Sequence, residues 1–214
     1  MARTAVGLPP ALAKRGDRVL RPADAANVYA HPRAELARLV QLRAARRIAT
    51  GYYALTPQRR IGDLRWKPEL DAAALGIARA DYGVDAVALM GVSAARYHGA
   101  IPRALGVAVV AVPKQRPTLH TDLGRIIFVK RDVTRLDVER IETELGPGWV
   151  TTVEQTILDL AARPKLGGLA EQDVKAAIRA MATRTDWSLV ERLASEQHKP
   201  SALNEAKRLV GRNA

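Results

Sequence analysis

The sequence predicts a mixed α/β (α+β) protein in which a small basic unit precedes a larger and nearly neutral one. Helical and strand-like hydrophobic periods alternate along the chain. Residues 1–67 carry fourteen Lys and Arg against four Asp and Glu, whereas residues 68–214 carry twenty against eighteen. A composition of 48% hydrophobic and 26% charged residues is typical of a globular protein. We therefore predict two domains, residues 1–62 and residues 63–214.

Three short helices are predicted in the basic unit. The first covers residues 8–15 and ends at Gly16. A short strand follows at residues 19–20. Pro22 begins a second helix over residues 22–30, and Pro32 begins a third that runs to about residue 45, since proline is tolerated in the first turn of a helix. Three helices in under fifty residues predict a helix-turn-helix core.

The third predicted helix has two different faces. Leu36, Leu39 and Val40 lie on or near one stripe, which predicts packing against the core. Arg38 and Gln41 lie on another face at helical spacing. This polar face is the one that can reach DNA.

A two-stranded ribbon is predicted after this helix. Residues 46–48 and 52–55 are rich in β-branched and aromatic side chains, and the turn between them contains Thr50 and Gly51. We expect Tyr53 to pack inward, while the hydroxyl of Tyr52 is free to touch a phosphate. A recognition helix followed by such a ribbon is typical of a winged helix-turn-helix. Residues 58–68 then have the composition of a basic connector.

The second unit is predicted to be a mixed α/β domain that ends in helices. Strands are expected at residues 86–90, 107–112 and 126–130, and residues 137–145 are mixed. Helices are expected at residues 69–82, at residues 92–98 up to Gly99, and from Thr152 through Leu160. From about residue 169 the pattern predicts two or three amphipathic helices.

Three blocks of the sequence resemble the AbiEi family of bacterial antitoxins and transcriptional regulators. They are LARLVQLRAARRIATGYYALTP, VALMGVSAARYHGAIPRALGVAVVAVP and GWVTTVEQTILDLAARP, in this order within residues 10–163. The family's wing motif is matched at residues 51–53, its serine-to-His-Gly helix at residues 93–99, and its third motif at residues 150–160, with Ile157 in place of the usual Leu. The glycine that is usual near the end of the recognition helix is replaced within residues 42–45.

The resemblance implies a function for each unit. The N-terminal winged helix-turn-helix would repress the protein's own operon. The C-terminal domain would act as an antitoxin against a toxin of nucleotidyltransferase type. Members of the family are described as countering the toxin without a stable complex, and direct contact stays open for this chain.

The positions of arginine and glutamine side chains predict which residues contact DNA. Arginine neutralises phosphates and reads guanine edges, and glutamine pairs with adenine. We expect the partner to be double-stranded DNA at the protein's own promoter, with repeated half-sites. Base-edge contacts are assigned to Arg33, Arg38 and Gln41, phosphate contacts to Arg43, Arg46, Arg47, Arg59 and Arg60, and a minor-groove or phosphate contact to Thr50. The alternative is a solvated helix face.

Catalysis is not expected. Ser93 and His98 are five residues apart and so do not share a helix face, which argues against a serine nucleophile and its base. The acidic side chains of residues 137–144 lie beside Arg135 and Arg140, which favours a salt-bridged surface over a metal site. Asp159 is expected to bond locally within its helix. The common nucleotide, zinc and hydrolase motifs do not occur, so we predict no enzyme, no catalytic residue, no cofactor and no metal.

The remaining composition limits the alternatives. Cysteine is absent, which excludes disulfides and zinc fingers, and no apolar run is long enough to span a membrane, so we expect a cytoplasmic protein. The runner-up function is a protein-interaction module that neutralises its toxin by direct contact. An RNA-binding or nuclease-like protein is disfavoured because aromatic residues make up 4% of the chain. The basic C-terminal helices are either a second DNA surface or a solvated face.

Overall fold

A computed structural model describes residues 8–211 of the chain. Within them, two β-sheets and eight α-helices follow one another in chain order. The N-terminal part contains α1 (Pro10–Ala13), β1 (Val19–Leu20), α2 (Pro32–Gln41), β2 (Ala45–Ala49) and β3 (Tyr52–Leu55). The remainder contains α3 (Leu70–Tyr82), β4 (Ala88–Leu89), α4 (Val92–Tyr97), β5 (Val107–Val112), β6 (Leu119–Thr121), β7 (Gly124–Lys130), β8 (Val138–Thr143), β9 (Gly146–Thr151), α5 (Val153–Ala162), α6 (Glu171–Ala182), α7 (Trp187–Glu196) and α8 (Pro200–Leu209).

The N-terminal strands form a small antiparallel sheet in the order β1-β3-β2. This arrangement, with α2 directly before the β2–β3 ribbon, is compatible with the predicted winged helix-turn-helix. The predicted second helix is wrong in type, because only a single 3-10 turn forms at Pro22–Ala25. The third helix is also shorter than predicted and ends at Gln41, since Ala45 already pairs with Leu55 in the sheet.

The body is built on a six-stranded mixed sheet in the order β6-β7-β5-β4-β9-β8. β5 lies inside it, parallel to β7 and antiparallel to β4, and all six of its residues are buried. Its side chains alternate between two hydrophobic clusters, because successive residues of a strand point to opposite faces. On one face lie α4 to α8, and on the other lies α3. The mixed α/β fold class is thereby confirmed.

The N-terminal sheet packs on the α3 face of the body. Val19, Ile48 and Ala54 belong to the same buried cluster as the residues of α3. A separate cluster, which includes Leu36 and Leu39, fills the space between α2 and the N-terminal sheet. The predicted boundary near residue 62 lies between β3 and α3. The residues on its two sides share one hydrophobic cluster, so the division into two domains stays a prediction.

Polar contacts also hold the N-terminal unit to the body. The buried guanidinium of Arg79 on α3 donates to the carbonyl of Leu145 at 2.9 Å and pairs with Asp17 at 2.9 Å. The amide of Arg18 donates to the same carbonyl of Leu145 at 3.1 Å. Burial lowers the pKa of Arg79, although Asp17 opposes that shift. The position of α2 and its ribbon is therefore fixed relative to the body.

Three strands of the body were not predicted from the sequence. β6 is three residues long, and β8 lies at the edge of the sheet with Glu139 and Arg140 exposed. β9 begins Gly-Pro-Gly, a sequence that favours turns over strands. Its pairing with β4 and β8 comes from distant parts of the chain.

Candidate nucleic-acid interface

The outer face of α2 is polar and solvent-exposed. Pro32 occupies the first turn, where its missing amide proton has no cost. Leu36 and Leu39 are buried as predicted, and Arg33, Arg38 and Gln41 are exposed. The helix is thus anchored by its apolar stripe and presents the three predicted base-reading side chains to solvent.

Arg38 forms an ion pair within its own helix. Its Nε donates to Oε2 of Glu35 at 3.0 Å, while 60% of the Arg38 side chain is exposed. An exposed pair of this kind contributes little to stability, about 0.3–0.5 kcal/mol. A phosphate or a base edge can therefore displace Glu35 at small cost.

The end of α2 requires a left-handed residue. The amide of Ala44 donates to the carbonyl of Leu39 at 2.9 Å, and the amide of Arg43 donates to that of Val40 at 3.1 Å, which is a Schellman cap. Arg43 has a φ of 59° at the position where glycine is preferred. The cap turns the chain into β2 and leaves the Arg43 side chain exposed.

The wing tip carries two of the predicted contacts. Arg47 is exposed, and its Nη2 donates to Oγ1 of Thr50 at 3.2 Å. Gly51 has a φ of 83°, which closes the turn between β2 and β3. Thr50 is exposed beside it. Both predicted side chains therefore reach solvent at the end of the ribbon.

Arg46 differs from the expectation of a free phosphate contact. Its guanidinium pairs with Asp122, in the turn between β6 and β7, and donates to the carbonyl of Trp66 at 3.4 Å. Its Nε is buried and has no hydrogen-bond partner among the described residues. Arg46 and Arg47 are neighbours in β2, and neighbouring residues of a strand point to opposite sides of the sheet. The side chain of Arg47 is exposed, and that of Arg46 faces the body.

The two tyrosines of the wing also face inward. The hydroxyl of Tyr52 donates to Oδ2 of Asp81 on α3 at 2.7 Å, so it is not free for a phosphate. Burial and the hydrogen bond to Asp81 both raise the pKa of Tyr52. Tyr53 is half-buried and packs against the N-terminal cluster, in the direction that the sequence predicted.

Arg59 and Arg60 lie on the connector that follows β3. They form a 3-10 turn and line a groove of about 590 Å³ between the connector and the body. Arg59 is exposed, whereas Arg60 pairs with Asp63 at 3.2 Å. Tyr97 lines the same groove with 50% of its surface exposed. The predicted set is therefore spread over the helix, the wing and the connector.

Ser93 and His98 have separate structural partners. Ser93 is buried, donates to Oδ1 of Asp71 at 2.7 Å and accepts the amide of Val109 at 2.9 Å. The Nε2 of His98 lies 2.7 Å from the carbonyl oxygen of Thr151. These two side chains do not meet, and each joins one helix to the sheet.

Asp71 was not recognised from the sequence as a structural residue. Burial raises the pKa of its carboxyl, although Ser93 and Arg96 stabilise its charged form. It starts the buried helix α3 and also binds Arg96 of α4 at 2.7 Å. Among residues 8–211, no group of three or more His, Asp or Glu side chains is arranged to hold a metal ion.

Most cations of the C-terminal helices are paired within the body. Asp159 is buried, and its partners are not only local as predicted. Besides Gln155 on its own helix, it binds Lys199 at 3.0 Å and Arg131 at 3.5 Å, which are distant in the sequence. The other pairs are Lys175 with Glu171, Lys207 with Glu191, and Arg208 with Glu205, while Arg179 and Arg184 donate to the carbonyls of Leu209 and His98. These partners favour a structural role for the cations over a second DNA surface.

Comparison with known proteins identifies related sequences and folds. The family model of the AbiEi antitoxin C-terminal domain matches residues 86–211, more than half of the chain. The crystal structure of the RV2827C protein from Mycobacterium tuberculosis has a similar fold, with a TM-score of 0.57 over 95% of this chain and 79% of that chain, at 15% sequence identity. No curated protein matches the sequence. None of the described helices is long and apolar enough to cross a membrane.

Proposed function

Because the chain belongs to the AbiEi antitoxin family, we propose that this antitoxin binds double-stranded DNA at its own promoter and represses its own operon. On this proposal the cognate toxin is a nucleotidyltransferase, and the protein acts in the cytoplasm, as the family resemblance of the sequence blocks implies. The antitoxin itself has no enzymatic role.

One observation carries the DNA-binding part of the proposal. The exposed face of α2 and the wing tip follow each other directly in the chain, and both present cations to solvent, as a recognition helix and its wing do. Arg33, Arg38 and Gln41 are proposed to read base edges, and Arg43, Arg47 and Thr50 to contact the backbone or minor groove. Arg59 and Arg60 would extend the backbone contacts along the connector.

Arg46 is left out of this proposed set. Its guanidinium already pairs with Asp122 of the body, and breaking that pair would leave the half-buried guanidinium without its acid. Its proposed role is to hold the wing in place.

A promoter-binding assay with charge-matched variants tests the proposal. Arg38→Ala and Arg47→Ala should each weaken binding to the protein's own promoter by about tenfold, and Arg38→Ala should also relax sequence preference, since a base contact contributes about 1–3 kcal/mol of discrimination. Arg208→Ala, on the exposed face of α8, removes the same charge and should leave affinity unchanged.

The salt dependence gives a second readout of the same proposal. If about six phosphates are neutralised, a plot of log affinity against log salt should have a slope of about −5. A flat plot, or equal effects of all three variants, would contradict DNA binding by this face.

Direct contact with the toxin is the second candidate. Tyr97 is half exposed beside Arg59 in the connector groove, and Leu64 on the connector is 72% exposed. Exposed aromatic and arginine side chains are enriched in protein interfaces. Co-purification of the toxin with the wild type but not with Tyr97→Ala would favour this candidate.

A further inference from the structure

One carboxylate of the antitoxin body contacts the first residue of β3, next to the wing turn, and the residue that follows β1. Asp81 lies near the end of α3, with 15% of its side chain exposed. Its Oδ2 accepts the hydroxyl of Tyr52 at 2.7 Å and pairs with Arg116. Its Oδ1 pairs with Nη1 of Arg21 at 3.3 Å.

These partners come from three different segments. Tyr52 is the first residue of β3 and directly follows the wing turn. Arg21 directly follows β1, which pairs with β3. Arg116 lies in the loop between β5 and β6, with its guanidinium 4.2 Å from the centre of the Phe128 ring. Asp81 therefore joins the wing-turn end of β3 to the body.

The chemistry of the contact favours a fixed geometry. Tyr52 donates to an ionised acceptor, and such charge-assisted hydrogen bonds are shorter and stronger than neutral ones. Arg21 is held from a second side by Asp24, at 3.0 Å, so its orientation does not depend on Asp81 alone. The hydroxyl of Tyr52 is thus the wing's own link to Asp81.

We propose that Asp81 is a positioning residue for DNA binding, through which the antitoxin body sets the position of the wing. Asp81 touches no DNA itself. It holds β3 at the residue that follows the wing turn, and so orders the segment on which Arg47 and Thr50 are presented. This inference rests on the proposed DNA-binding function.

The direction in which Asp81→Asn changes promoter affinity distinguishes a positioning role from a simple effect of charge. Asp81→Asn removes a negative charge, and if charge alone mattered the more cationic protein would bind DNA more tightly. Positioning requires the opposite, because an amide cannot replace the carboxylate at all three donors. We expect promoter affinity to fall by about tenfold, the size expected from losing a hydrogen bond to a charged group.

The experiment compares four full-length variants in promoter affinity and in hydrogen exchange of the free protein. Tyr52→Phe removes only the wing's link and leaves the two arginine pairs intact. It should weaken binding, and Asp81→Asn/Tyr52→Phe should bind no more weakly than Asp81→Asn alone. Asp85→Asn carries the same charge change, and its side chain accepts from Trp149 within the body. It should leave affinity unchanged or slightly raised.

Hydrogen exchange gives a readout that does not depend on DNA. Amides of residues 46–55 should exchange faster in Tyr52→Phe and in Asp81→Asn than in the wild type or in Asp85→Asn. If Tyr52→Phe binds and exchanges like the wild type, the positioning role is wrong while DNA binding stands. If the wild type does not bind its promoter, both proposals fail. Should Asp81→Asn not fold, Tyr52→Phe alone decides.

Discussion

Two charged or polar residues adopt a backbone conformation that favours glycine. Arg43 ends α2 with a φ of 59°, and His198 ends α7 with a φ of 53°. In both, the following amide donates to a carbonyl five residues back, from Ala44 to Leu39 and from Lys199 to Ala194. A residue with a Cβ in this region costs about 1–2 kcal/mol relative to glycine. The cap geometry therefore persists without the glycine that the family resemblance led us to expect.

Replacing these residues by glycine should stabilise the protein. Arg43→Gly and His198→Gly should each raise the free energy of unfolding by about 0.5–1 kcal/mol, since relief of strain is partly offset by the greater entropy of glycine in the unfolded chain. Urea denaturation measures both. Only Arg43→Gly should also weaken promoter binding, because it removes a proposed phosphate contact. A loss of stability in both variants would show that the left-handed positions are not strained.

At the scale of elements, α3 connects the two sheets. Nine of its thirteen residues are buried, because the body sheet lies on one side and the N-terminal sheet on the other. Gly76 makes this possible. A Cβ at Gly76 would lie 2.3 Å from Cγ2 of Val19 on β1, a distance that packed atoms do not reach. The glycine lowers the intrinsic stability of the helix but allows β1 to approach it closely.

Gly76→Ala should therefore destabilise the protein despite the better helix propensity of alanine. Overpacking of this kind costs about 1–3 kcal/mol, which exceeds the roughly 1 kcal/mol gained in the helix. Val19→Ala should remove the clash, so that the double variant is more stable than the sum of the two single effects predicts. Thermal unfolding of all three variants measures this coupling. Gly106→Ala, where a Cβ meets no atom within 4 Å, serves as the control.

At the scale of the whole molecule, the positive charge has two uses. Part of it is exposed on α2 and the wing, and part is paired internally with acids from distant segments, as in Arg46 with Asp122 and Lys199 with Asp159. Burial lowers the pKa of Lys199, while Asp159 opposes that shift. The count of 34 Lys and Arg residues thus overstates the number of cations available to a polyanion.

Removing an internal cation should affect stability and not DNA binding. Lys199→Met leaves Asp159 buried with Arg131 as its remaining cation, and should lower the free energy of unfolding by about 3 kcal/mol. Lys207→Met breaks a more exposed pair with Glu191 and should cost less than about 1 kcal/mol. Promoter affinity should be unchanged in both. Weaker DNA binding by Lys207→Met would restore the C-terminal helices as a second DNA surface.

Local sequence patterns predicted the helices and strands better than they predicted the tertiary partners of individual side chains. The apolar stripe of α2, the turn at Gly51 and the strand β5 follow from the spacing of neighbouring residues, and the structure contains them. The partners of Arg46, Tyr52 and Asp159 lie 76, 29 and 40 residues away, in Asp122, Asp81 and Lys199. Such contacts depend on tertiary packing, which periodicity does not encode. The candidate DNA-contacting set was consequently predicted with Arg46 included.

The shared core of β1, β2, β3 and α3 has a consequence for turnover in the cell. A fragment consisting of the first sixty-two residues would expose Val19, Ile48 and Ala54 to water, and a body without that fragment would expose the facing side of α3. We expect proteolytic removal of either half to destabilise the half that remains. On the proposed function, degradation of the antitoxin would at the same time end the repression of its own operon.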